Sequence, residues 1–106
     1  MANNYKNSKV DLTSTSITTL YTCPASTTAI MKSILVSDDS GSGDTITLTI
    51  TSGSDVFSLY KVKAVGANGT VELLTAPLVV QASEILKVTA ATVDRLHVVA
   101  SYLEIT

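Results

Sequence analysis

The residues that could carry out chemistry are one cysteine, one histidine and a short acidic loop. Cys23, His97 and Asp94 are of the types that form a nucleophilic triad. His97 falls in the middle of an apolar stretch without a second histidine at metal-binding spacing, and nothing in the sequence brings Cys23 towards it. We therefore predict that the chain has no catalytic residues, no metal ligands and no cofactor, and that it is not an enzyme.

The acidic loop is DDSGSGD, residues 38–44. Its carboxylates could supply the oxygen ligands that Ca²⁺ prefers, but an EF-hand loop closes with a glutamate at position twelve, and Thr49 stands there. We predict a solvated hairpin loop, and an adventitious cation at Asp38 and Asp39 is the alternative.

The elements around this loop are typical of strands. Thr45–Thr51 alternates strictly, which points Ile46, Leu48 and Ile50 inward and the threonines to a solvated or partner-facing sheet face. Thr28–Ser37 precedes the loop, with Ile30, Ile34 and Val36 expected on one face and Met31 and Leu35 on the other.

Turn residues recur every eight to twelve positions, and no helical period is sustained. The pattern predicts an all-β fold, a single antiparallel, jelly-roll-like β-sandwich of about eight or nine strands. Asn68-Gly69 indicates a type I′ hairpin turn, and Pro77 an edge or bend. The closing segment, Arg95–Ile105, is apolar on both faces, which is typical of a central strand.

The first residues lack any period. Residues 1–9 are polar and rich in asparagine, so we predict a flexible N-terminal arm, or an arm that becomes ordered on a neighbouring subunit, followed by a sandwich domain over residues 10–106. Tyr5 is the expected anchor of such an arm.

Composition restricts the possible partners. Charged residues make up 15% of the chain and hydrophobic residues 45%, which favours a subunit with large contacts to other proteins. The net charge of −2 gives no basic field for nucleic acid, no apolar run is long enough to cross a membrane, and no secretory signal is present, so we expect cytoplasmic synthesis. The predicted partner-interface residues are Tyr5, Lys32, Thr45, Thr47, Thr49 and Thr51.

Several segments, LYTCPASTTAIMKSILVS from Leu20, VELLTAPLVV from Val71, EILKVTA from Glu84 and VVASYLEI from Val98, together resemble small virion structural proteins of tailed bacteriophages, particularly cyanophages. The resemblance implies a β-sandwich that binds the outside of the capsid as a cement or decoration subunit, or serves as an accessory subunit of the tail, neck, baseplate or fibre. No functional residues carry over with it.

A compact domain without fibre repeats or a coiled coil favours the capsid surface. The expected partners are then the major capsid protein (or tail and neck proteins) and further copies of the chain, as a homo-oligomer that we expect to be a trimer; the expected location is the virion. A host-surface adhesin and a small hydrolase that uses His97 are the alternatives.

Overall fold

The computed structural model describes residues 2–106, which form nine strands and no helix. The strands are β1 (Asn3–Asp11), β2 (Thr18–Thr22), β3 (Thr28–Asp38), β4 (Asp44–Ser52), β5 (Asp55–Val65), β6 (Thr70–Glu72), β7 (Leu78–Val80), β8 (Ile85–Ala90) and β9 (Leu96–Ile105).

Two antiparallel sheets contain these strands. Sheet A has the order β1-β9-β3, with β6 and β7 both paired to the far side of β3, and sheet B has the order β2-β8-β4-β5. The pairing is nested, because β1 pairs with β9, β2 with β8, β3 with β6 and β7, and β4 with β5. A long hairpin folded over itself in this way is a jelly roll. The predicted all-β, jelly-roll-like sandwich is therefore confirmed.

The core lies between the sheets and follows the strand alternation. On β9, every second side chain from Leu96 to Tyr102 is buried, and the side chains between them are half-buried or exposed. β9 lies between β1 and β3, so its predicted central position is confirmed. In β4, Ile46 and Leu48 are fully buried, as predicted, whereas Ile50 is half-buried.

A bulge in β3 changes the predicted faces of that strand. Met31 pairs with Tyr102 and Ser33 with Ser101, which leaves Lys32 as the extra residue. An extra residue reverses the alternation beyond it. Met31 therefore shares the core face with Ile34 and Val36, while Ile30 and Leu35 share the outer face, and the face assignment made from strict alternation was wrong.

The residues expected to form a flexible arm belong to a strand. Asn3–Lys9 lie in β1, which pairs with β9 from Asn3 opposite Ile105 to Asp11 opposite His97. The sequence is polar because β1 is an edge strand with most of its side chains in solvent, and backbone pairing holds it in place. Met1 lies outside the described residues.

The Asn68-Gly69 turn differs from the predicted hairpin. The Gly69 N–H donates to the Gly66 carbonyl, and Asn68 has a φ of 53° at the third position of the turn. The turn connects β5 in sheet B to β6 in sheet A, so it crosses between sheets instead of joining two paired strands. The break expected at Pro77 is present between β6 and β7.

Candidate interaction surfaces

An apolar row crosses the outer face of sheet A. Tyr5 on β1 lies opposite Leu103 on β9, which lies opposite Ile30 on β3, which lies opposite Val79 on β7. Tyr5 is 78% exposed and Val79 is 51% exposed, while the two central side chains are half-buried. We call these four residues the outer apolar row. Its formation depends on pairing among four strands, so no single segment of the sequence reveals it.

The same face becomes polar towards its other end. Leu35 and Val99 form a second apolar pair, and beyond it the His97 Nε2 lies 3.2 Å from Asp11 Oδ1. A groove of about 380 Å³ lies at this end, lined by Lys9, Val10, Asp11, His97, Val98 and Val99. The outer face of sheet A thus offers an apolar half and a half that carries the polar contact between His97 and Asp11.

The predicted threonine face lies on sheet B. Thr45, Thr47 and Thr49 are half-buried, and the Thr47 Oγ1 accepts a hydrogen bond of 3.1 Å from the Val62 N–H. Thr51 is only 9% exposed, and its hydroxyl has no hydrogen-bond partner among residues 2–106. This face is therefore more enclosed by neighbouring side chains than a freely solvated threonine ladder.

The six predicted interface residues do not form one surface. Tyr5 and the exposed Lys32 belong to sheet A, whereas the four threonines belong to β4 in sheet B. Sequence patterns did not single out Leu103, Ile30 and Val79, which continue the outer apolar row from Tyr5 across β9, β3 and β7. The available signal was that β3 and β9 carry apolar residues on both faces. This pattern indicated that both faces of these strands are at least partly covered, but it did not show which apolar side chains are exposed.

A buried polar cluster secures β1 to the rest of the sandwich. Glu104 is buried, and its carboxylate accepts a hydrogen bond of 2.5 Å from the Tyr21 hydroxyl and lies 2.8 Å from the Lys6 ammonium. Ser8 and Tyr102 are joined by a hydrogen bond of 2.9 Å, and the Tyr21 and Tyr102 rings lie 4.4 Å apart. Lys6 and Tyr21 hold the pKa of Glu104 below its usual value, and burial, followed by the hydrogen bond to Glu104, raises the pKa of Tyr21.

The acidic loop is organised by one carboxylate. Asp38 is buried and accepts hydrogen bonds from the Ser40 hydroxyl and from the backbone N–H groups of Ser40, Gly43 and Asn68. The Ser40 hydroxyl, together with these N–H groups, lowers the pKa of Asp38 well below its usual range. Its lone pairs are directed at protein donors, so the loop is a turn scaffold that also holds the Asn68 turn.

Two of the residues considered for a triad, Cys23 and His97, lie far apart. Cys23 is buried, with its Sγ 3.3 Å from the Thr27 carbonyl, and it follows Tyr21, which contacts Glu104. Glu104 and His97 are separated by seven residues of extended strand, or roughly 23 Å. The structure therefore does not bring His97 to Cys23. Within residues 2–106 there is no group of three or more His, Cys, Asp and Glu side chains able to hold a metal ion.

Comparison with known proteins leaves the family open. In residues 2–106 there is no helix that could cross a membrane. No protein-family model, curated protein or solved structure matches the chain. The resemblance to bacteriophage virion proteins therefore stays a prediction, and the positive findings are a nine-stranded jelly roll with an exposed apolar row across sheet A.

Proposed function

We propose that this chain is a non-enzymatic structural subunit of a bacteriophage particle, which binds the outside of the capsid as a cement or decoration protein. The observation that carries the proposal is the outer apolar row, with Tyr5 and Val79 exposed at its ends. Exposure of an apolar stripe to water is unfavourable, and only 15% of the residues of this small domain are charged. Burial of the stripe against a partner removes that surface from water and therefore favours binding.

The fold and the sequence resemblance together favour the major capsid protein as the partner. Jelly rolls occur in many viral capsid domains, and the resemblance is to phage virion proteins. The partner we propose for the outer face of sheet A is the major capsid protein, whose lattice would be stabilised where this subunit bridges neighbouring coat proteins. The threonine face on sheet B, on the opposite side of the sandwich, would then point away from the capsid.

The copy number of the chain in purified particles of the encoding phage tests the location. Quantitative mass spectrometry should find hundreds of copies per virion if the subunit decorates the capsid lattice. A handful of copies would move it to the tail, neck or baseplate, and the complete absence of the chain from particles would remove the virion role.

The binding surface is tested by adding purified protein back to particles that lack it. The double variant Tyr5→Ser, Val79→Ser should reduce occupancy at least about tenfold, because two exposed apolar contacts are lost. The matched control is Thr49→Ser on sheet B, which should bind as the unmodified chain does. Equal binding by all three proteins would contradict the proposed face.

A host-surface adhesin is the second candidate, since jelly rolls also occur in lectin domains. The groove beside His97 and Asp11 is the concave site that a sugar would use on sheet A. Binding of the purified chain to defined glycans in an array, abolished by Asp11→Ala, would favour the adhesin over the capsid role.

A further inference from the structure

The long free edge of sheet B is β5, which pairs with β4 on one side and with no other strand among residues 2–106. An unpaired strand edge presents backbone N–H and C=O groups to any strand that approaches it. β5 has eleven residues, against five in β2 at the opposite edge of the same sheet. β5 is therefore the larger template in sheet B for adding a further strand.

The side chains of β5 are unusually apolar for such an edge. Val56, Phe57 and Val62 are 62%, 55% and 60% exposed, and Leu59 is also exposed. The long free edge of sheet A, β1, also carries two lysines, but its other residues are mostly polar, with three asparagines, and among Asn3–Asp11 the exposed large apolar side chain is Tyr5. A long edge that combines exposed backbone with exposed apolar side chains is the kind that associates.

The charges on β5 favour a second copy of β5 as the strand that pairs with this edge, in the antiparallel direction. Asp55 lies at the start of the strand, and Lys61 and Lys63 lie near its end. A second β5 in the antiparallel direction brings the acidic end of each strand to the basic end of the other. The parallel direction would place like charges side by side, which is destabilising.

The faces of the charged residues agree with this pairing. Asp55 lies opposite Ser52, and Lys63 lies opposite Ile46. Ser52 and Ile46 are an even number of residues apart on β4, so Asp55 and Lys63 project to the same face of sheet B. An antiparallel pair centred on Leu59 sets Asp55 opposite Lys63 of the second copy and Val56 opposite Val62 of the second copy. At the centre, Tyr60 and Ser58 project to opposite faces of the sheet, so regular pairing is confined to the two ends of the strand.

We propose that two copies of the chain associate through β5, antiparallel and related by a two-fold axis near Leu59, so that their four-stranded sheets join into one eight-stranded sheet. The contact is isologous, and each charge pair and each valine pair therefore occurs twice. β5 carries two bulges, between Lys63 and Tyr60 and between Tyr60 and Ser58, which twist the edge and shorten the ladder. The interface is accordingly small and the dimer weak, with a dissociation constant on the order of micromolar.

Sedimentation equilibrium of the full chain over a range of concentrations tests the dimer, and charge reversal tests its geometry. Asp55→Lys should raise the dissociation constant at least about tenfold, because the introduced ammonium group would meet Lys63 of the second copy at both ends of the ladder. Lys63→Glu should raise the dissociation constant similarly, because the introduced carboxylate would meet Asp55 of the second copy at both ends of the ladder. An equimolar mixture of the two variants should restore a heterodimer of nearly original affinity, because opposite charges then meet at both ends.

The controls are Asp39→Lys and Lys32→Glu, which make the same charge changes on exposed residues outside β5. Each should dimerise as the unmodified chain does, and mixing them should produce no gain in affinity. A monomer at all concentrations, an unchanged dimer in Asp55→Lys, or a mixture without rescue would overturn the proposal. The pairing does not require the capsid role, so its failure would leave the copy-number and particle-binding results unaffected.

Discussion

Leu48 and Thr49 are neighbours in β4 but point to opposite sides of sheet B. Leu48 is fully buried, whereas Thr49 lies on the half-buried outer face. Leu48→Ala should lower the free energy of unfolding by about 2–5 kcal/mol, because the core loses apolar contacts and retains a cavity. Thr49→Ala should cost no more than about 1 kcal/mol. Urea denaturation of both variants measures the difference, and equal losses would contradict the two-faced assignment.

Asp38 makes the stability of the protein depend on pH. Because the folded state lowers the pKa of Asp38 below the usual value of 3.8, its stabilisation is complete above that pH and is lost as the pH falls through the lower folded value. The pKa of Glu104 is also lowered in the folded state, from its usual value of 4.5, so its contribution to stability is lost in the same direction as the pH falls. Stability should therefore decrease as acid is added below about pH 4.5.

The variant Asp38→Asn measures how much of this pH dependence of stability comes from the acidic loop. The amide keeps one acceptor but places N–H donors against the donors of Ser40, Gly43 and Asn68, so we expect a lower melting temperature at neutral pH. We also expect a smaller loss of stability between neutral and acidic pH. Asp39→Asn, an exposed neighbour, is the control in thermal unfolding at both pH values. A variant with the full acid sensitivity of the original chain would exclude Asp38 as its source.

At the scale of the element, β5 contains local strain. Val62 has a φ of 55°, in the left-handed region that costs a β-branched residue about 1–2 kcal/mol. Because the side chain is exposed, Val62→Gly should leave the free energy of unfolding unchanged or raise it by up to about 1 kcal/mol. Val56→Gly, in the same edge strand, should lower it by about 1 kcal/mol. Chemical denaturation compares them, and a larger loss in Val62→Gly would show that the strain is not relieved.

β1 depends on a few side chains because most of its residues face solvent. Lys6→Ala removes the cation that neutralises the buried Glu104 carboxylate, so backbone amides of β1 should exchange hydrogen faster, while those in the centre of β3 remain protected. Lys9→Ala makes the same charge change on a residue that does not contact Glu104. Hydrogen exchange followed by mass spectrometry distinguishes the two variants, and equal rates in β1 would show that Lys6 does not hold the strand.

The whole molecule is a set of nested strand pairs that join distant parts of the chain. β1 pairs with β9 and β2 with β8, so the outer pairs cannot form until nearly all of the chain is present. A fragment that ends before Leu96 should lack a cooperative unfolding transition, because β9 lies between β1 and β3. Circular dichroism with denaturant measures this, and removal of residues 1–4 is the control, which should retain the transition. For the full chain we expect refolding in milliseconds to seconds, as in other all-β domains.

Local patterns in the sequence were sufficient to predict much of the fold. The strict alternation of Thr45–Thr51 in β4 and the turn residues that recur every eight to twelve positions predicted the strand number and the fold class, because side-chain periodicity and turn conformation depend on neighbouring residues. The threonine face followed from that alternation, and the central position of β9 from a segment that is apolar on both faces. The polar composition of residues 1–9, by contrast, did not reveal a strand, because backbone pairing with β9 carries no side-chain signature.

The tertiary structure decided what depends on pairing between distant residues. The bulge at Lys32 reversed the faces of β3, the nested order placed Leu103 between Tyr5 and Ile30, and the sandwich buried Glu104 against Tyr21 and Lys6. The sequence by itself determined an all-β chain with few charges and alternating strands. The outer apolar row and the exposed β5 edge arise only when the register across the sheets is set, since a shift of one residue moves every side chain to the other face.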